Sequence, residues 1–299
     1  MSTISSVAFL GADSILGPAI LQHLLSASFT VTVLKRQGSN SPDKYPSEVS
    51  IKRIPDDLPV DAVAAALQGH DALVVSIKGS QVDVQVRLAN ACVKANVSRL
   101  IPADFGSCDS SGSLTQRLVP LYKRKTELRG YLQSLAHQHP DFSWTSIVCG
   151  HFFDWSTEFI HLWPGEHRAD ILDDGEKEFS ISTLSRVGEA TARILQRPAE
   201  TKNKMLYVHS FTTTQNKIVR AYEGVTKATF KLTRYQSEEY KNEQKAKADA
   251  GDKAAIEDLV WYLGTIDADW RTRENFAMDL LGLVDEDLVK AVEKAIQGP

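Results

Sequence analysis

VAFLGADSILGPAI, residues Val7–Ile20, sets a short apolar run against a glycine, five intervening residues, a second glycine and the start of an amphipathic stretch. A strand that stops at a glycine, followed by a helix whose first amides point back at the turn, is the arrangement that cradles a pyrophosphate in dinucleotide-binding folds. Gly11 and Gly17 stand at the ends of such a turn, with Asp13, Ser14, Ile15 and Leu16 inside it. Ser14 occupies a place where a third glycine often stands, and its hydroxyl offers a phosphate a donor in exchange. A glycine pair alone also fits a plain structural turn, so the reading depends on what surrounds it.

The surroundings repeat the pattern. SVAFLG, FTVTVLKR, DALVVSI and SRLIPADFG alternate with GPAILQHLLSAS, VDAVAAALQGH and QVDVQVRLANACVKANV, which is β-α-β-α-β-α-β. Strands that are apolar throughout belong in a parallel sheet covered on both faces and joined by right-handed crossovers. A helix over about 118–136, a strand FSWTSIVCG, a helix STLSRVGEATARILQRP and a strand KMLYVHS extend the series. The predicted fold class is α/β: a Rossmann-type doubly wound parallel sheet with a smaller, mostly helical C-terminal substrate domain. Residues 1–155, completed by about 178–210, are assigned to the first domain. Residues 156–177 and 211–299, where the rhythm gives way to charged helical sequence such as SEEYKNEQKAKADAGDKAAIEDLVWYLG, are assigned to the second.

The second strand ends in Lys35 and Arg36. An NAD site carries an acidic residue there for the ribose 2′-hydroxyl, whereas a basic residue accommodates the 2′-phosphate of NADP. Two cations and no carboxylate predict NADPH/NADP+ as cofactor; a solvated basic pair is the plain alternative. In SIKGS, after the next apolar run, Lys78 and Gly79 are expected along the cofactor.

Composition narrows the rest. Of 299 residues, 42% are hydrophobic and 24% charged, and the net charge of −4 comes with no long basic block, which argues against a nucleic-acid footprint. No apolar run approaches the ~20 residues of a membrane span. The N-terminus lacks the basic region of a signal peptide. Cys92, Cys108 and Cys149 are odd in number and lack paired metal or redox spacing, so they read as reduced thiols. The expectation is a cytoplasmic protein, monomer or homodimer, that takes a small molecule and binds no metal, nucleic acid or membrane.

Taken in order, GADSILG, the KR strand end, RLIPADFG (Arg99–Gly106), Lys125 and Arg129 in KTELR, GHFFDW (Gly150–Trp155) and ISTLSRVGEATARILQRPAETKNKMLYV carry a likeness over most of the chain. The sequence resembles the NmrA-like and isoflavone-reductase-like branch of the atypical short-chain dehydrogenases. The resemblance implies a Rossmann domain carrying NADPH and a small C-terminal domain over the cofactor. Often it implies a reductase of aromatic or polyketide-like secondary metabolites. Three departures stand out: Ser14 for glycine, Ala103-Asp104 for Ser-Glu, and His151 for phenylalanine.

Hydride transfer to a carbonyl or enone leaves negative charge on oxygen, so a donor belongs where that charge develops. The resemblance points to Lys125, as oxyanion stabiliser or proton donor and as a neighbour of the nicotinamide ribose. From spacing alone Lys125 is one cation of the solvated cluster YKRKTELR. Tyr122 shares a helix face with it at i,i+3, although core packing explains Tyr122 as well. His151, at a strand end on the sheet's carboxyl edge, is the second catalytic candidate because imidazole titrates near neutrality. Phe152 is assigned to the cofactor, and Asp104, Phe105, Phe153, Trp155 and Phe159 to the substrate pocket. His161 and His167 are too isolated for a metal site. The leading function is an NADPH-dependent reductase of a small aromatic or polyketide-like compound. Its rivals are an NADP-binding regulator without turnover and a non-redox cyclase, isomerase or dehydratase on the same fold.

Overall fold

The computed structural model describes residues 3–297. In chain order the strands are β1 (Ser6–Leu10), β2 (Thr30–Arg36), β3 (Ser50–Ile54), β4 (Ala72–Val75), β5 (Arg99–Ile101), β6 (Ser143–Val148), β7 (His151–Phe152), β8 (Leu162–Trp163), β9 (Arg168–Leu172), β10 (Phe179–Ser182), β11 (Lys204–Tyr207), β12 (Phe211–Thr213) and β13 (Lys231–Tyr235). The helices are α1 (Gly17–Ser26), α2 (Val60–Leu67), α3 (Val82–Lys94), α4 (Ser113–Leu118), α5 (Pro120–Gln138), α6 (Leu184–Gln196), α7 (Gln215–Thr226), α8 (Ser237–Asp249), α9 (Lys253–Ile266), α10 (Met278–Leu281) and α11 (Leu288–Gln297).

Seven strands form the central sheet in the order β11-β6-β5-β4-β1-β2-β3, and every pairing from β3 to β6 is parallel. β1 is buried along nearly its whole length and β4 along all of it, as the unbroken apolar runs require. The chain leaves β1 for β2 on one side and later returns to β4 on the other. That reversal opens a crevice at the carboxyl ends of β1 and β4, the place where open α/β sheets bind ligands. In α1, Pro18 fits the first turn, where its missing N–H costs nothing, and Ile20, Leu21 and Leu24 pack beneath the helix. The fold is the expected Rossmann-like α/β architecture.

Tertiary contacts divide the chain into two compact units, Met1–Phe105 with Arg124–Ile147 and Val187–Leu206, and Gly106–Lys123 with Val148–Arg186 and Tyr207–Pro299. Residues 106–123 and 148–155, assigned from sequence to the first domain, group with the second, and the two units take about equal shares of the chain. The second unit is also less purely helical than its sequence suggests. It carries two three-stranded sheets, β12-β10-β7 and β13-β9-β8, beside α7, α8, α9 and α11. Strands of two to five residues are too short to display a period of two, which is why they were invisible. β3 was missed for another reason: four of its five residues are exposed, as suits an edge strand guarded by Lys52 and Arg53. Among the described residues no helix is long and apolar enough to cross a membrane.

Candidate active site

Within the first unit a cavity of about 670 Å³ opens at the crevice between β1 and β4. Its walls come from the turn after β1 (Gly11, Ala12, Asp13, Ser14), the end of β2 (Lys35, Arg36) and the segment after β4 (Ser76, Ile77, Lys78). Gly11 takes φ +99°, and a Cβ there would stand 2.0 Å from the Ser76 carbonyl oxygen. A Cβ on Gly17 would stand 2.2 Å from the Ala12 carbonyl oxygen. Only glycine permits that close passage of the turn between its neighbours. The Ser14 hydroxyl shares a 2.8 Å hydrogen bond with Ser76 and accepts from the Gly17 amide at 3.1 Å. Ser14 thus knits the turn to the β4 edge and keeps a hydroxyl at the cavity wall. Ile15 is exposed beside the turn, whereas the Leu16 side chain is buried, so Leu16 has only its backbone to offer a ligand.

At the end of β2 the two expected cations behave differently. Lys35 is buried and committed: its ammonium lies 3.2 Å from Asp13 and 2.8 Å from Asp43, and donates to the Pro42 carbonyl at 3.0 Å. Burial works against the Lys35 ammonium, but Asp43 and Asp13 outweigh it and raise its pKa. Arg36 is exposed on the cavity wall, and among the described residues no carboxylate lies within ion-pair distance of it. Asp13 accepts from Tyr45 at 2.6 Å and from Ser41 at 2.5 Å. Burial raises the Asp13 carboxyl, and the hydrogen bonds from Ser41, Tyr45 and Lys35 more than offset it, leaving it below the usual carboxylate value. Asp43 and Tyr45 belong to GSNSPDKY, a loop without periodicity, and nothing in the sequence marked them.

A second cluster of the first unit lies after β5. Asp104 is buried; its carboxylate accepts from Arg129 Nε at 2.6 Å and stands 3.5 Å from Lys125 Nζ, which donates to the Asp104 carbonyl at 2.6 Å. Burial pushes the Asp104 carboxyl up, but Arg129 and then Lys125 overcome it, and its pKa is held below the usual value. By formal charge, Lys125 and Arg129 together outnumber the single Asp104 carboxylate. Lys125 and Arg129 stand four residues apart on α5, one face of the helix, which is the signal that both belong to one site. The cluster abuts the segment after β4: Lys125 Cε would lie 3.0 Å from a Cβ at Gly79, and Gly79 follows Lys78 of the cavity wall. Phe105, the next residue, holds φ +30°, a strained conformation for a residue with a side chain. Asp104 is therefore a buried counter-ion to Lys125 rather than an open pocket wall.

In the second unit His151, Phe152, Trp155 and Phe159 form one aromatic group. Trp155 contacts Phe152 at 6.5 Å and Phe159 at 5.3 Å between ring centroids, and Phe159 meets His151 edge-on at 5.4 Å. Trp155 is 43% exposed. Phe153 is not part of that surface. It is fully buried against Phe211 and Tyr222, because alternate residues of an extended segment face opposite ways. His151 is also buried, its Nε2 packed where α9 has Gly264, and burial drives its pKa down to about 4. Its burial leaves the imidazole almost no access to solvent. Tyr122 is buried and shares a 2.8 Å hydrogen bond with Ser107. Ser180, His209 and Asp285 stand in hydrogen-bonded file at 3.0 Å each. Ser180 is fully buried and accepts from the Trp270 amide, so the file ties β10 to the C-terminal segment and presents no nucleophile.

A doubly wound sheet, a glycine turn that a Cβ would close, and a cavity at its switch point are the arrangement that dinucleotide-binding α/β folds share. The NmrA-like family profile matches residues 3–271, and the chain belongs to that family. It is 28% identical to the oxidoreductase aprR of Aspergillus flavus over 98% of this chain and 99% of that protein. Among solved structures it is similar to leucoanthocyanidin reductase of Vitis vinifera in binary complex with NADPH, with TM-score 0.79 and 16% identity over 98% of this chain and all of that one. It is likewise similar to an isoflavone reductase, with TM-score 0.78 and 18% identity over 99% of both chains.

Proposed function

We propose that the protein is an NADPH-dependent oxidoreductase that reduces a carbonyl, enone or benzylic ether of a small aromatic or polyketide-like compound. The observation that carries the reading is the buried Asp104–Lys125–Arg129 cluster, with its excess positive charge, set against the segment after β4 that walls the cavity. The oxidoreductase name of aprR and the reductase names of the structural relatives support the reaction class. The cavity fits the cofactor chemically: the Ser14 and Ser76 hydroxyls and the Gly11 turn suit the pyrophosphate, and Arg36 suits the 2′-phosphate. Bound there, NADPH supplies a hydride and leaves as NADP+.

The chain's own part is electrostatic. Lys125 presents its ammonium to the oxygen on which charge develops, which stabilises the anion in a site shielded from water. It gives that oxygen a proton and recovers one from solvent. Arg129 and Asp104 keep the lysine in place. His151 takes no proton-transfer role in this scheme.

The test is a fluorescence titration with NADPH and NADH, followed by NADPH consumption with aromatic carbonyl and enone compounds. Lys125→Met is expected to lower kcat by about 100-fold or more, the cost of one oxyanion donor, while NADPH binding changes little. Equal losses in turnover and cofactor affinity would remove Lys125 from catalysis, and tight NADPH binding without consumption of any compound would favour a regulator.

A further inference from the structure

The adenosine end of the cavity is less cationic than Lys35 and Arg36 suggest. The ionised groups that line the cavity are Lys35, Arg36 and Lys78 against Asp13 and Asp56, and Asp43 and Arg53 join the network through Lys35. Two of the carboxylates sit on the single ammonium of Lys35, and Asp43 takes a second ion pair from Arg53 at 2.6 Å. The 38–45 segment is drawn across this end of the cavity by Asp13, whose carboxylate gathers donors from Ser41, Tyr45 and Lys35. Gly38, Ser39, Asn40 and Ser41 line the cavity where the segment crosses. Asp13 belongs to the glycine turn itself, so one side chain links the pyrophosphate turn, the β2 cation and the crossing segment.

A 2′-phosphate brings about two negative charges and strong acceptor oxygens to the end of β2. There it meets an acidic group that already holds the lysine and the serine hydroxyl it would use. NADH, with a neutral 2′-hydroxyl, meets no such conflict.

We propose that Asp13 sets the cofactor preference of this protein, acting as an internal anion that competes with the 2′-phosphate for Lys35 and Ser41 and so restrains the preference for NADPH that Arg36 confers. The inference rests on the reading of the cavity as the NADPH site. Removing the charge frees Lys35 from one of its two carboxylates and removes a repulsion, and both effects favour the phosphorylated cofactor alone.

The experiment is a fluorescence titration of the full chain with NADPH and with NADH. Asp13→Asn is expected to raise the ratio of NADPH to NADH affinity about tenfold, the factor that 1.36 kcal/mol represents. The gain should shrink as salt screens the exposed charges. Asp13→Thr removes the same charge with a different side chain and is expected to move the ratio the same way, so a folding defect in one variant does not decide the matter. Tyr45→Phe loosens the segment but leaves the carboxylate, and is expected not to tighten NADPH. An unchanged ratio in both Asp13 variants overturns the proposal, as does a gain in Tyr45→Phe equal to that in Asp13→Asn. Wild-type protein that binds neither nucleotide overturns the cofactor reading, and this inference falls with it.

Discussion

Asp104→Asn is the substitution that strains the first unit most directly. The wild-type carboxylate is buried between Arg129 Nε at 2.6 Å and Lys125 Nζ at 3.5 Å, and all three side chains are at most 10% exposed. An amide of the same shape removes the buried charge that both cations face, a change of the kind that costs about 3–5 kcal/mol when one partner of a buried pair is removed. At roughly 2–4 °C per kcal/mol for a unit of 150–250 residues, the transition that contains the first unit should fall by about 6–20 °C. Thermal unfolding at neutral pH measures it. Arg129→Gln in the same chain removes one of the two cations that face Asp104, so the double variant should lose less than the two single losses added together. The pH dependence has a definite sign. Because the Asp104 carboxyl lies below its usual value when folded, its contribution is fully present above the unfolded pKa of about 3.9 and is lost as pH falls through the folded value. Wild type and Asp104→Asn should therefore converge in acid. A loss under about 1 kcal/mol at neutral pH, or strict additivity with Arg129→Gln, would refute the account of a coupled buried cluster.

Two further outcomes follow from named contacts. In the second unit His161 is stacked on Trp261 at 3.7 Å, with one ring nitrogen 3.2 Å from Asp170 and the other 3.2 Å from Asp258. Burial lowers its pKa, but the two carboxylates more than reverse that, so His161 is raised. Its stabilisation is complete below the unfolded value of about 6.5 and is lost as pH rises through the higher folded one. Unfolding temperatures measured across that window should decline in wild type and stay flatter in His161→Gln; identical slopes would count against the clamp. Gly11→Ala drives a Cβ to 2.0 Å from the Ser76 carbonyl oxygen at φ +99°, and NADPH affinity should fall at least about 100-fold by titration. Unimpaired binding there would mean that the nucleotide sits elsewhere.

What the sequence disclosed and what it hid divide along a physical line. The central sheet was legible because β1, β2 and β4 are buried on both faces, and burial writes itself as short runs rich in Val, Leu, Ala and Phe. Gly11 and Gly17 were legible because the backbone there has no room for a Cβ. The pairing of Lys125 with Arg129 was legible as helical spacing. Charge compensation was not, because it depends on residues brought together from separate loops. Lys35 and Arg36 read as equivalent neighbours in the chain, yet successive residues of a strand face opposite ways. Lys35 turns inward to Asp13, 22 residues before it, and to Asp43 in a loop with no pattern at all, while Arg36 turns out to the cavity. The same alternation separates Phe153, in the core, from Phe152 just before it. The burial of His151 arises by a third route, the close passage of α9, which Gly264 permits from more than a hundred residues away. Motifs therefore located the cavity at the sheet's switch point and the lysine. The sign and availability of charge within them, on which the proposed cofactor preference and the proposed role of Lys125 both turn, is a property of the assembled fold.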